Sequence, residues 1–151
     1  MANTQAMCTS FKTEILSGIH ALGTTVIRAG TGADTLKAAL YLASATVNAA
    51  TTAYSATGEV SGTGYTAGGV TVTNATAPTS SGTTAYWTPS ASFTYTTVTL
   101  TTSFDCVLVY NSTQSNKAIS AHTFGAQTIT AGTFVLSMPT NDSTNALIRI
   151  A

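Results

Sequence analysis

Apolar residues recur at spacings of three and four in one place only, the N-terminal segment, where Cys8, Phe11, Ile15, Ile19 and Leu22 form a single stripe. That stripe predicts an amphipathic helix, capped at its first turn by Asn3 or Thr4 and stopped at Gly23. Ser10, Lys12, Thr13, Glu14 and Ser17 fall on its wet side, and an interior Gly18 costs about 1 kcal/mol relative to alanine. His20 reads as a cation at the helix end, favoured there by the dipole. Such a helix either packs on its own domain or docks as an arm on a neighbouring subunit.

From Thr24 onward the pattern changes to Thr, Val, Tyr and Phe, the residues that favour strands. Strands are expected over Leu36–Leu42, Val70–Thr73 and Thr84–Thr88, with a polar, exposed loop from Ala43 to Gly58. Gly62, Gly64, Gly68 and Gly69 around Tyr65 read as a turn device. Phe93 and Tyr95 share one parity, whereas Val98 and Leu100 share the other. A regular strand would send the two pairs to opposite faces, so a β-bulge is expected near Thr96-Thr97. Asp105–Tyr110 is apolar without alternation, as in a central strand covered on both sides. Asn111–Asn116 is a polar turn that returns Lys117–Phe124 as the antiparallel partner. Phe134, Leu136 and Met138 alternate in a further strand that Pro139 ends, and Ala146–Ile150 forms the last.

About eight short strands behind one leading helix imply a mainly β fold: an antiparallel β-sandwich or a jelly-roll-like barrel with one N-terminal α-helix. The division expected is a helix or arm over residues 1–23 and a β-sandwich domain over 24–151. No fixed-period repeat supports a solenoid.

Composition narrows function by exclusion. Only 7% of the 151 residues are charged, five basic against five acidic, where about 25% is usual. Lys12, Arg28, Lys37, Lys117 and Arg149 are scattered singly, which excludes the clustered phosphate contacts of a nucleic-acid binder. An apolar fraction of 44% argues against disorder, and no apolar run approaches a membrane span. The N-terminus lacks a signal-peptide pattern, so synthesis in the cytoplasm is expected. Cys8 and Cys106 fit no metal or redox spacing and read as free, buried thiols.

Catalytic patterns are equally sparse. Glu14, Asp34, Glu59, Asp105 and Asp142 are isolated in sequence, so no carboxylate pair is visible. His20 or His122 with a serine and Asp105 would make a triad, yet no serine sits in a nucleophile elbow; His122, sharing a face with Phe124, reads as structural. No zinc spacing or phosphate loop occurs. The Asn-x-Ser/Thr triplets at Asn74, Asn111 and Asn141 are expected by chance in a chain with 33 threonines. The expectation is therefore a protein without enzymatic activity, cofactor or metal. A hydroxyl-rich surface can pack on other proteins without desolvating charge, which points to permanent assembly.

Met7-Cys8-Thr9-Ser10-Phe11-Lys12 with Glu14-Ile15-Leu16, Lys37-Ala38-Ala39-Leu40-Tyr41, Glu59 to Gly69, Leu108-Val109-Tyr110-Asn111-Ser112, Thr123-Phe124-Gly125, Met138-Pro139-Thr140-Asn141 and Ala146 to Ile150 stand in a fixed order along nearly the whole chain. In that order and spacing the sequence resembles a family of small virion structural proteins of tailed bacteriophages. It departs from the family at Gly32-Ala33-Asp34-Thr35-Leu36, where a tighter Gly-Asp turn is common, and at His122, where an apolar residue is usual. The resemblance implies a capsid decoration (cement) protein on the virion surface, bound to the major capsid protein and to copies of itself as a dimer or trimer. Phe11, Ile15 and Ile19 on the helix, with Tyr54 and Tyr65 in the loops, are its candidate interface residues. The alternatives are a head or tail fibre component, with Tyr86 and Trp87 stacking on sugars, and a head–tail or tail adaptor ring subunit.

Overall fold

The computed structural model describes residues 3–16, 19–23 and 33–151. In chain order its elements are β1 (Ala6–Met7), α1 (Thr9–Leu16), β2 (Leu36–Leu42), β3 (Val70–Thr71), β4 (Thr79–Ser81), β5 (Thr84–Trp87), β6 (Phe93–Asn111), β7 (Lys117–Leu136) and β8 (Ile148–Ile150). Antiparallel pairing assembles them into a five-stranded sheet, β1-β7-β6-β2-β3, and a three-stranded sheet, β4-β5-β8. The fold is mainly β and sandwich-like with one short helix, and the sheets do not close into a barrel. Trp87 and Ile148 of the small sheet share one apolar core with β2, β6 and β7 of the large one.

β6 and β7 dominate. The sequence pattern divided them into several strands; the structure joins Phe93–Thr101 with Asp105–Tyr110, and Lys117–Phe124 with Phe134–Leu136. What looked like strand ends are irregularities inside one hairpin. From Tyr95↔Phe134 to Val98↔Gly132, β6 carries one residue more than β7, and Thr97 takes φ 54° there. This is the bulge that the parity change demanded. Without it Val98 and Leu100 would face water, losing roughly 1.5–3 kcal/mol each, against about 1–3 kcal/mol for one strained residue. Burial wins: Phe93, Tyr95, Val98 and Leu100 are all buried.

The next irregularity lies on β7, between Val98↔Gly132 and Leu100↔Ile129, with Ala131 at φ 47°. Two more follow around Phe104. Extra residues on alternate strands coil the hairpin back on itself. Phe124 and Phe134 would be about 33 Å apart on a straight strand, yet their ring centroids lie 5.2 Å apart. Phe104 packs edge-on against both, at 6.0 Å and 5.2 Å. Nothing in the local sequence of β7 announces this contact.

The helix is shorter than its stripe. It ends at Leu16, the N–H of Ile19 closes on the Glu14 carbonyl at 2.9 Å, and Ile19–Leu22 carry no helix. Cys8 and Phe11 are fully buried in the chain's own core and β1 pairs with β7, so the N-terminal segment packs on its own domain. Residues 17 and 18, and the start of the expected second unit from 24 to 32, lie outside the described residues.

Two smaller differences concern the loops. Thr79–Ser81, for which no strand is expected from the sequence, pairs with Thr84–Tyr86 through a two-residue connection whose first position, Gly82, has φ 58°. The stretch from Ala43 to Gly58 is irregular as expected but not uniformly exposed, since Val47 is buried and its carbonyl accepts from Thr4 N–H at 2.9 Å.

Gly69 explains why the glycine cluster is more than a turn. It sits at φ 73°, and a Cβ there would be driven into the Ala38 carbonyl of β2. Gly69→Ala is therefore expected to lower unfolding free energy by about 2 kcal/mol or more. Gly125→Ala, where an added Cβ meets nothing within 4 Å, is expected to be neutral. Urea denaturation of the two variants checks the contrast.

Candidate functional site

Every carboxylate whose side chain is described is engaged within the chain. Glu14 is buried on α1, with Oε2 accepting from His20 Nε2 at 2.7 Å and Oε1 from Lys117 Nζ. Burial alone would raise its carboxyl; the hydrogen bonds from Lys117 and His20 and the charge of Lys117 outweigh it and hold the group below its ordinary value. The other His20 nitrogen faces Asn111 Nδ2 at 3.0 Å, and the same amide donates to Asp34 Oδ2 at 2.8 Å. Asn111 Oδ1 accepts from Gln114 N–H, which fixes the amide orientation and makes His20 Nδ1 the acceptor. Asp34 also accepts from Ala21 N–H at 2.7 Å and Gln114 Nε2 at 3.1 Å. Acids twenty residues apart in sequence thus join one network through a histidine and an asparagine. Only the β6–β7 turn, which delivers Asn111, Gln114 and Lys117 together, could have revealed it.

Glu59 forms the second knot. Tyr54 OH donates to Oε2 at 2.6 Å, while Tyr65 OH and Gly68 N–H each donate to Oε1 at 2.7 Å. Tyr65 OH in turn accepts from Leu40 N–H of β2 at 3.0 Å. Tyr54 stacks on Tyr110 at 4.7 Å and Tyr65 on Tyr95 at 6.0 Å. Burial, then the Glu59 carboxylate, push both phenols upward. These two tyrosines, read from sequence as interface candidates, clamp the 43–69 loop to the sheet.

Of the candidates on the helical stripe, Phe11 alone is wholly inside. Phe11 is fully buried and meets His20 edge-on at 4.8 Å. Ile15 is half-buried on the rim of an apolar cleft of about 250 Å³ shared with Leu22, Tyr86, Trp87 and Ile150. Ile19 is half-buried. His20 is not a free helix-end cation, since its side chain is enclosed and bound to Glu14. Trp87 cannot stack on a sugar: it is 1% exposed and its indole N–H donates to the Thr76 carbonyl at 3.1 Å.

One serine–histidine pair exists among the described residues, Ser120 Oγ to His122 Nε2 at 2.8 Å on one face of β7. It borders a cleft between β1 and residues 144–149. Asp105, the third member the sequence offered for a triad, instead accepts from Asn3 Nδ2 at 2.6 Å. Desolvation takes His122 down to about 4. No group of three potential metal ligands occurs among the described residues.

Asp142 caps the turn at Thr144 and Asn145. Of the charged side chains described, Arg149 alone is exposed. The surface is thus emptier of charge than the composition. From Val60 to Phe104 and from Ala118 to Asn141 no Asp, Glu, Lys or Arg occurs. The outer side of the bent hairpin presents Thr94, Thr96, Thr101, Thr102, Thr128 and Thr133. The uncharged, hydroxyl-bearing outer part of this hairpin is the candidate site. No family model, curated protein or solved structure matches the chain.

Two measurements separate these roles. Tyr65→Phe removes a donor to Glu59 and is expected to cost about 1–2 kcal/mol of stability while leaving the association state unchanged; denaturation and light scattering read both. His122 resists protonation when folded but protonates near 6.5 when unfolded, so stability is expected to fall as pH drops from about 6.5 toward 4. The slope is at most about 1.4 kcal/mol per pH unit, less because the residue is only partly covered, and His122→Gln should flatten it.

Proposed function

We propose that this chain is a structural component of a tailed-bacteriophage virion, most specifically a capsid decoration protein. In that role it binds the outside of the major capsid lattice as a small homo-oligomer and clamps neighbouring capsomers. The observation that carries the reading is that every described carboxylate is engaged by a donor of its own chain. A chain that works alone in water normally disperses charge over its outside; this one ties its carboxylates to its own donors and exposes hydroxyls. A neutral Thr/Ser surface packs against protein without the desolvation penalty of buried ions. The coiled hairpin adds a rigid scaffold, and the ordered resemblance to small phage virion proteins supplies the particle.

The two alternatives stand on less. The fibre reading leaned on Trp87 as a sugar platform, and that ring is inside the core. The adaptor-ring reading has no feature of its own in the fold.

Electron microscopy of intact particles tests the proposal. Density for the chain on the outer capsid surface, at hundreds of copies, is expected. Particles lacking it should lose infectivity faster on heating and osmotic shock. Location at the neck or tail, or particles equally robust without it, would overturn the decoration role.

A further inference from the structure

We infer that the outer edge of β7 at residues 134–136 is a self-association edge, pairing antiparallel with the same edge of a second copy about a two-fold axis. The inference deepens the assembly reading above and rests on it for its biological meaning, though not for its geometry.

The backbone makes the first part of the case. β7 pairs with β1 only at Ser120 and Ala121, while loop residue Ala53 bridges to Lys117. Beyond these points, among the described residues, β6 is its only ladder partner. A strand with one bare side presents unpaired N–H and C=O groups, which natural sheets usually protect with lysine, proline or inward charge. From Ala118 to Met138 this strand carries no charged residue and no proline. The one device present is bulging, at Thr130–Gly132 and around Gly125–Thr128. Those bulges leave one regular stretch, where Leu136, Val135 and Phe134 pair in step with Phe93, Thr94 and Tyr95.

That stretch also carries Val135, one of two large hydrophobic side chains exposed among the described residues, at 49%. Thr133 is exposed on the same face, two residues away. The self-partner follows from charge. Two-fold contact sets every charged group near its own copy, so any net charge repels itself. A partner of different chemistry is best served by complementary charge. A wholly neutral edge forgoes the second advantage and avoids the first penalty. Antiparallel strand edges also match themselves without further adaptation, giving a continuous β6-β7-β7-β6 sheet across the axis.

The experiment is sedimentation velocity from low micromolar concentration upward, with hydrogen exchange on the same samples, using the full chain, Val135→Lys, Thr133→Lys and Thr57→Lys. Both edge variants replace exposed residues and are expected to keep the wild-type melting temperature. Expected are a wild-type dimer, amide protection over residues 134–136 that grows with concentration, and edge variants whose dissociation constant rises about a hundredfold or more. Thr57→Lys, adding the same charge on a distant loop, should dimerise like wild type. A monomeric wild type, an edge variant that still dimerises, or equal weakening by Thr57→Lys would overturn the inference. So would protection of 134–136 that appears only when capsids are added, which would assign the edge to the coat protein. A dimer through this edge that is absent from virions would overturn the virion reading while leaving the pairing intact.

Discussion

The coiling of β6 against β7 is the constraint on which the remainder of the molecule depends. The hairpin supplies both strands at the centre of the large sheet, and its bulges decide which side chains point inward. Each extra residue resets the two-residue alternation, so the apolar face stays inside as the ribbon turns. Had the bulges been absent, the ribbon would run straight and the aromatic contacts of Phe104, Phe124 and Phe134 could not form. The small sheet and α1 would then have no shared core on which to close. Strain at Thr97 and Ala131 is thus the local consequence of a larger gain in burial.

The same hairpin organises the charges. Its turn brings Asn111, Gln114 and Lys117 to the end of α1, where Glu14, His20 and Asp34 meet them. Each buried polar group in that network finds a partner, which is the condition under which burial of charge is tolerated. Glu59 obeys the same rule with two phenols and a backbone N–H. Charge that secures loops internally is charge withdrawn from the surface. A chain with so few ionisable groups cannot do both, and this one fastens its irregular segments.

Legibility followed the range of the signal. The strand Leu36–Leu42, the Thr96-Thr97 bulge and the Asn111–Asn116 turn were readable because parity and turn chemistry are local. The helix was over-extended because the stripe of Ile19 and Leu22 persists beyond its last turn; Leu22 is apolar for packing near the second sheet rather than for helix periodicity. Two of the interface candidates have partners within the chain that their local sequence does not announce. Tyr54 and Tyr65 lie in a polar loop and look exposed, yet their partner Glu59 occupies the same loop, and the closure that joins them depends on glycines approaching β2 and β6. Phe124 meeting Phe134 was not visible at all, because bulges on β7 leave no mark on a strand already dense in Thr, Gly and Ala.

A neutral surface and a bare edge would be hazardous together if the edge were regular throughout, since long flat edges pair without discrimination. Here the bulges that serve the core also serve the surface. They bend most of β7 out of the plane in which a foreign strand could follow it, leaving a short regular segment at Phe134–Leu136. Selectivity of contact then comes from shape and register instead of from charge pattern. Such contacts are also little affected by ionic strength, because backbone hydrogen bonds and apolar burial are not screened as surface ion pairs are. In the proposed decoration role, outside the cell and in media of any salt content, exclusion of charge from the contact surface is itself a functional property.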